Sequence, residues 1–294
     1  MQNPLIVNVV SNGLGSQSMY LMVLAARREI PATVSITADT GSENDCLWST
    51  GRRSTAREYF EEIILPFAVR SGLDARFVRT VDKDKRPLPS LEEAVTASIG
   101  KGRPESIPLY GSRMGQNMQS CTDKWKIRAI RQEARRMGAT SLVTAQGIHF
   151  GERGRRVKGI PLGNSHGYMM YQDTEVVKVD GEKIVNPIKW CRHYYPLVDK
   201  QFGRKDAQRE MEREGIPYLI SSQCDFCPHN DLARWERHTP DVLVRIAALE
   251  KKLKGKYFFT DERVPLMEAL EIKRRKPSPT VEADFGCGNS YCGV

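Results

Sequence analysis

The feature that most constrains this chain is the order of its first thirty residues: an apolar run, a small polar loop, then a helical repeat. Leu5-Ile6-Val7-Asn8-Val9-Val10 is rich in β-branched residues and short, so it reads as a buried strand. Ser11-Asn12-Gly13-Leu14-Gly15-Ser16-Gln17-Ser18 follows, and Met19 to Arg28 carries helical periodicity that stops before Pro31. The alternation then repeats. Thr33 to Thr37 predicts a second strand, Thr55 to Ser71 a helix with Pro66 as a kink or break, and Arg76 to Thr80 a third strand. Thr122 is placed to cap a basic helix running to about Met137, with Gly138 as its stop, and Ser141 to Ala145 predicts another strand. Such alternation implies an α/β fold: a mainly parallel twisted sheet with helices on both faces.

Residues 81 to 120, with Pro87, Pro89, Pro104 and Pro108, predict loops. Met169 to Val179 and Lys183 to Val185 flank Asp180-Gly181, the pattern of a tight hairpin. From Pro196 onward the chain predicts helices and loops, with helices at Asp206 to Glu214 and Pro240 to Leu253. Lys273 to Pro279 reads as an exposed linker into a cysteine-bearing tail. The expected division is an α/β domain over 1–195 and a smaller helical, cysteine-bearing region over 196–294.

No run approaches the ~18 apolar residues of a spanning helix, which excludes that class. The start, Met1 to Pro4, lacks a signal-peptide layout, and seven cysteines without a secretion signal argue against a disulfide framework. A cytoplasmic protein is expected, with thiols serving metal, redox or sulfur chemistry. Lys and Arg outnumber Asp and Glu by 45 to 36, a net +9, so a polyanion is a plausible partner.

Five motifs carry candidate chemistry. In the Ser11–Ser18 loop, glycines admit a close ligand and helix-terminal amides suit phosphate oxygens; an ordinary strand-to-helix turn is the plain alternative. Asp39-Thr40-Gly41 ends the second strand, where open α/β sheets bind ligands; a turn cap fits equally. Cys121-Thr122 opens the basic helix, where a thiol tends toward thiolate. From Asp123 to Arg136 six basic residues face two acidic ones, which suits either an anion site or a solvated helix face. Gly147 to Arg156 clusters guanidiniums with glycine, a phosphate-binding pattern or a charged loop. Cys224-Asp225-Phe226-Cys227 is a two-point clamp for zinc or iron–sulfur that needs further ligands, among Cys121, Cys287 and Cys292. Cys46 reads as a sulfur carrier or a small hydrophobe, and Cys191 as structural.

In order and spacing these pieces resemble the phosphoadenosine phosphosulfate reductase-like branch of the PP-loop ATP pyrophosphatase superfamily. The match rests on the loop ending in Gln17-Ser18, Asp39-Thr40-Gly41, Cys121-Thr122 with Lys126, and Gly147-Ile148 followed by Glu152 and Arg155. It continues through Tyr195-Pro196-Leu197, Gly215-Ile216-Pro217 and Ser222 to Pro228. Gln17 stands where Asp is common in the family. The Glu-Cys-Gly-Leu-His tail of sulfonucleotide reductases is absent, and Cys287 and Cys292 stand near the end instead.

The resemblance is closest to the ATP pyrophosphatase component of bacterial DNA phosphorothioation systems. It implies an adenine nucleotide α-hydrolase-like domain over 1–195. It also implies an enzyme that adenylates a nucleic-acid phosphate with ATP, releases pyrophosphate, and lets a persulfide or cluster-bound sulfide displace AMP. Ser18, Asp39, Lys126 and Arg155 would be catalytic. Ser11, Asn12, Gly13, Gly15, Ser16, Gln17, Ser18, Asp39, Thr40, Gly147 and Glu152 would hold ATP and Mg²⁺. Arg153, Arg156 and Lys124 would add phosphate neutralisation. Cys121, Cys224, Cys227 and Cys287 or Cys292 would hold a [4Fe-4S] cluster, with zinc as the alternative. The implied partners are DNA, or transfer RNA, a cysteine desulfurase as sulfur donor, and other subunits of a modification complex. The competing readings are a transfer RNA thiolation enzyme, a sulfonucleotide reductase, and a non-catalytic nucleotide-binding scaffold.

Overall fold

A computed structural model describes residues 5–101, 107–113, 115–116, 119–155, 160–161, 169–172, 177–179, 182–184, 190–220 and 222–275. Its main sheet contains β1 (Ile6–Ser11), β2 (Val34–Ala38), β3 (Asp74–Val78), β4 (Ser141–Gln146), β5 (Ile160–Pro161), β6 (Met169–Gln172) and β7 (Trp190–Tyr194). The strand order is β3-β2-β1-β4-β7-β6-β5. The first five strands in that order run parallel, and β6 and β5 add antiparallel at one edge. β1 and β4 pair in register from Ile6 with Ser141 to Ser11 with Gln146.

Helices cover both faces, as the alternation predicts. Alternate residues of β1 and β2 (Val7, Val9, Val34 and Ile36) pack with Ile130 and Ala134 of α5 (Arg128–Arg136). On the opposite face α1 (Ser16–Ala26) is apolar nearly all round, so it is buried under further layers rather than lying on the surface. It packs with α7 (Arg204–Arg213) and with the helical run α2 (Ala56–Tyr59), π turn (Phe60–Ile64) and α3 (Leu65–Ser71). That run is continuous where Pro66 predicts a break. Proline cannot donate back one turn, and the wider π turn before it removes the conflict.

Several other expectations need correction. The loop-rich 81–120 stretch contains α4 (Leu91–Ser98), capped by Ser90, whose hydroxyl accepts the Glu93 N–H while the Glu93 carboxylate accepts the Ser90 N–H. The basic helix starts at Cys121, already helical, and runs as a π stretch (Thr122–Ile127) into α5, so Thr122 does not cap it. Gly138 ends it with φ +80, as expected. The hairpin around Asp180-Gly181 uses only Val177–Val179 and Glu182–Ile184, because Met169–Gln172 leaves to pair with β7 in the main sheet. Asp180 and Gly181 lie outside the described residues. Lys273 to Arg275 belong to α10 (Leu266–Arg275) rather than to a linker.

A second apolar cluster joins α4, Trp125, Cys224, Phe226, Trp235 of α8 (Leu232–Trp235), α9 (Pro240–Lys252) and α10. Asp225 fastens it to the loop after β2. Its carboxylate, 1% exposed, accepts the Asn44 N–H at 3.0 Å and the Asp45 N–H at 3.2 Å, and pairs with Arg245 at 2.7 Å. No described helix is long and apolar enough to cross a membrane.

Candidate active site

The sheet's strand order turns at β1, whose neighbours β2 and β4 lie on opposite sides. In open α/β sheets the crevice beyond the strand C-termini at such a point receives ligands. The main pocket lies there. It gathers Ser11, Asn12, Gly13, Gly15, Ser16, Gln17 and Ser18, with Lys126, Gly147 and Glu152.

Local physics shapes the loop for this. The Asn12 side-chain carbonyl accepts the Leu14 N–H at 2.8 Å, which holds Leu14 at φ +65, a costly conformation for a branched residue. The Ser18 hydroxyl donates to the Gly15 carbonyl at 3.0 Å and pins the first turn of α1. The first backbone N–H groups of α1 have no intrahelical acceptor and carry the positive end of its dipole. Gly147 is required here, because a Cβ on it would stand 3.1 Å from the Ser18 nitrogen.

Three pocket residues escape sequence reading: Thr37, Arg204 and Arg234. The Thr37 hydroxyl is buried with no hydrogen-bond partner among the described residues. Arg234 is 7% exposed, and its guanidinium pairs with no carboxylate among the described residues. A buried charge of this kind is costly unless an anion compensates it. Asp231, which caps α8 by accepting the Arg234 N–H at 2.7 Å, is the one local signal that a helix begins there.

Asp39 does not line this pocket. Its carboxylate accepts the Gly41 N–H at 2.7 Å and is held by Arg79 at 2.8 Å and Arg57 at 3.3 Å, facing a neighbouring cavity. Thr40 does not line it either; its hydroxyl lies 3.5 Å from the Cys224 sulfur. Arg153 and Arg155 belong to the 3₁₀ turn Phe150–Arg155, and Arg156 lies outside the described residues.

A second cavity brings Cys121, Cys224 and Cys227 together with Thr122, Phe226 and Pro228. Lys126 and Gln223 line both cavities, so a single layer of side chains separates them. Glu43 stands at this junction: its carboxylate is 3.8 Å from the Lys126 ammonium and 3.9 Å from the Cys224 sulfur. Burial pushes the Glu43 carboxyl up to about 7, opposed by Lys126. Burial also raises the Cys121 thiol, again opposed by Lys126, so in the metal-free chain desolvation overrides the helix-terminal bias toward thiolate. The Cys224 thiol is raised well above the ordinary range by burial and by Glu43.

Among the described residues no three His, Cys, Asp or Glu groups converge as a single-ion site. A four-iron cluster spreads its thiolates across a larger body, and three thiols facing one cavity fit three of its four ligands. Cys287 and Cys292 lie outside the described residues. Cys46 is 2% exposed inside the core around α1, with burial raising its thiol, and behaves as a small hydrophobe.

No family model matches the chain, and no curated protein matches it. Among solved structures it is similar to phosphoadenylyl-sulfate (PAPS) reductase from Candida auris in a phosphate complex. The two are 9% identical, with 74% of this chain and 76% of that chain covered and a TM-score of 0.35.

Proposed function

We propose that the chain is an ATP pyrophosphatase that adenylates a nucleic-acid phosphate for sulfur insertion, most specifically in DNA phosphorothioation. The observation that carries the reading is the shared wall: Lys126 and Gln223 face both the phosphate-suited pocket and the thiol cavity. An activated phosphorus in one and a sulfur donor in the other stand within reach of each other.

The pocket residues divide the work. The Ser11–Ser18 amides and hydroxyls cradle the triphosphate, and Lys126, Arg204 and Arg234 neutralise it. An oxygen of the acceptor phosphate attacks the α-phosphorus of ATP, and pyrophosphate leaves with its charge held by those cations. Sulfide-level sulfur then forms the P–S bond and AMP leaves with the displaced oxygen. Cys121, Cys224 and Cys227, with Cys287 or Cys292, would hold an iron–sulfur cluster, which when bound supplies the site's sulfur or electron chemistry. Mg²⁺ would ride on the phosphates with few protein ligands. The net charge of +9 supports salt-sensitive affinity for a DNA backbone.

Anaerobically purified protein, given DNA, ATP and a cysteine desulfurase with cysteine, is expected to form AMP and pyrophosphate and to place sulfur in the DNA. Absence of both products overturns the reading. Sulfite release from phosphoadenosine phosphosulfate moves the assignment to sulfonucleotide reduction, and sulfur found only in transfer RNA moves it to thiolation.

A further inference from the structure

We propose that His149 is a positioning residue whose imidazole aims the Glu152 carboxylate at the divalent cation carried by a nucleotide in the Ser11–Ser18 pocket. The inference rests on reading that pocket as a nucleotide site.

His149 is 3% exposed and lies on the turn after β4. Its Nδ1 accepts the Gly151 N–H at 3.1 Å. With that lone pair engaged, the neutral ring carries its proton on Nε2, which faces Glu152 Oε2 at 3.2 Å and donates to it. The backbone enforces the arrangement. The Glu152 N–H donates to the His149 carbonyl at 2.9 Å, and the Phe150 N–H donates to the Phe202 carbonyl at 2.8 Å. A Cβ on residue 151 would stand 2.9 Å from His149 Cε1, so glycine there lets the ring fold beneath the turn.

Glu152 lines the pocket and His149 does not. The other described carboxylate in the lining, Glu43, is engaged by the Thr40 hydroxyl at 3.5 Å and by Lys126 at 3.8 Å. A carboxylate aimed into a pocket built for phosphates repels them unless a cation stands between. Magnesium is held in this manner, by one or two carboxylates plus substrate phosphates. Outer partners that orient such a ligand set its effectiveness. The stretch that reads in sequence as a basic loop thus carries an imidazole–carboxylate pair three residues apart.

The test is calorimetric binding of α,β-methylene-ATP to the full chain, with and without magnesium chloride. Wild type is expected to bind more tightly with magnesium. Glu152→Gln abolishes that gain while metal-free binding is kept or strengthened. His149→Phe shrinks the gain about tenfold or more, and His149→Gln, whose amide still donates to Glu152, restores most of it. Thermal melts verify that each variant is folded. An unchanged magnesium gain in both His149→Phe and Glu152→Gln, or no gain in wild type, overturns the proposal alone. A wild-type chain that binds no nucleotide overturns the nucleotide reading and this proposal with it.

Discussion

The Thr40 hydroxyl lies 3.5 Å from the Cys224 sulfur, across 184 residues of sequence. The loop after β2 and the CxxC loop therefore meet side chain to side chain. Their junction joins the nucleotide-suited pocket to the thiol cavity, and the testable consequences radiate from it.

Arg234 separates binding from stability. Its buried guanidinium has no carboxylate partner, so Arg234→Met is expected to stabilise the unliganded fold by about 1 kcal/mol. The same change removes an anion receptor and weakens nucleotide binding about tenfold or more. A thermal melt paired with calorimetric titration checks both signs, and a destabilised variant with unaltered affinity contradicts the assignment.

Glu43 makes stability fall with pH. Its folded carboxyl titrates at about 7, above the ordinary carboxylate range, so at intermediate pH the folded chain holds a proton that the unfolded chain releases. Stability is fully present below about pH 4.5 and is lost as pH rises to about 7, by up to roughly 3 kcal/mol in the metal-free chain. Glu43→Gln removes that slope. Urea unfolding at pH 5 and pH 8 reads the difference between the two proteins.

The cysteines divide by place. Cys121→Ser and Cys224→Ser are expected to lose the visible absorbance of anaerobically purified protein, since both sulfurs face one cavity. Cys46→Ala keeps it, because Cys46 sits in the core around α1, and costs only about 1 kcal/mol of stability. Colour retained in Cys224→Ser removes that residue from the ligand set.

Asp225 is a latch. Asp225→Ala frees two loop amides and strands Arg245, and is expected to cost about 3 to 5 kcal/mol in urea unfolding. Asp225→Asn keeps the acceptor for Asn44 and Asp45 but loses the ion pair, and falls between. Equal stability of Asp225→Ala and wild type refutes the latch.

The strands and main helices were legible because their signals are local. The run Leu5 to Val10, the loop to Ser18 and the helix after it each announce themselves within a few residues, and β1 and α1 stand within a few residues of those bounds. Helix α4 was legible too, from Ser90 and Glu93 three residues apart, but the surrounding prolines hid it. Pro66 misled because a π turn is a backbone solution that residue type does not announce.

The candidate site divides the same way. Ser11 to Ser18, Gly147 and Glu152 follow strand ends, so a parallel sheet carries them to one edge as soon as its alternation is recognised. Arg204 and Arg234 come from helices with no motif, and only packing turns them into the pocket.

What the sequence alone determined is the α/β alternation, the glycine and serine loop at its first turn, and the thiols as a chemical resource. What only the tertiary structure decided is partnership: Asp39 given to Arg57 and Arg79, Thr40 to Cys224, and Lys126 shared between two cavities. The physical reason is range. Backbone preference and side-chain periodicity act over a few residues, whereas burial and ion pairing are settled where segments far apart in sequence close on one another.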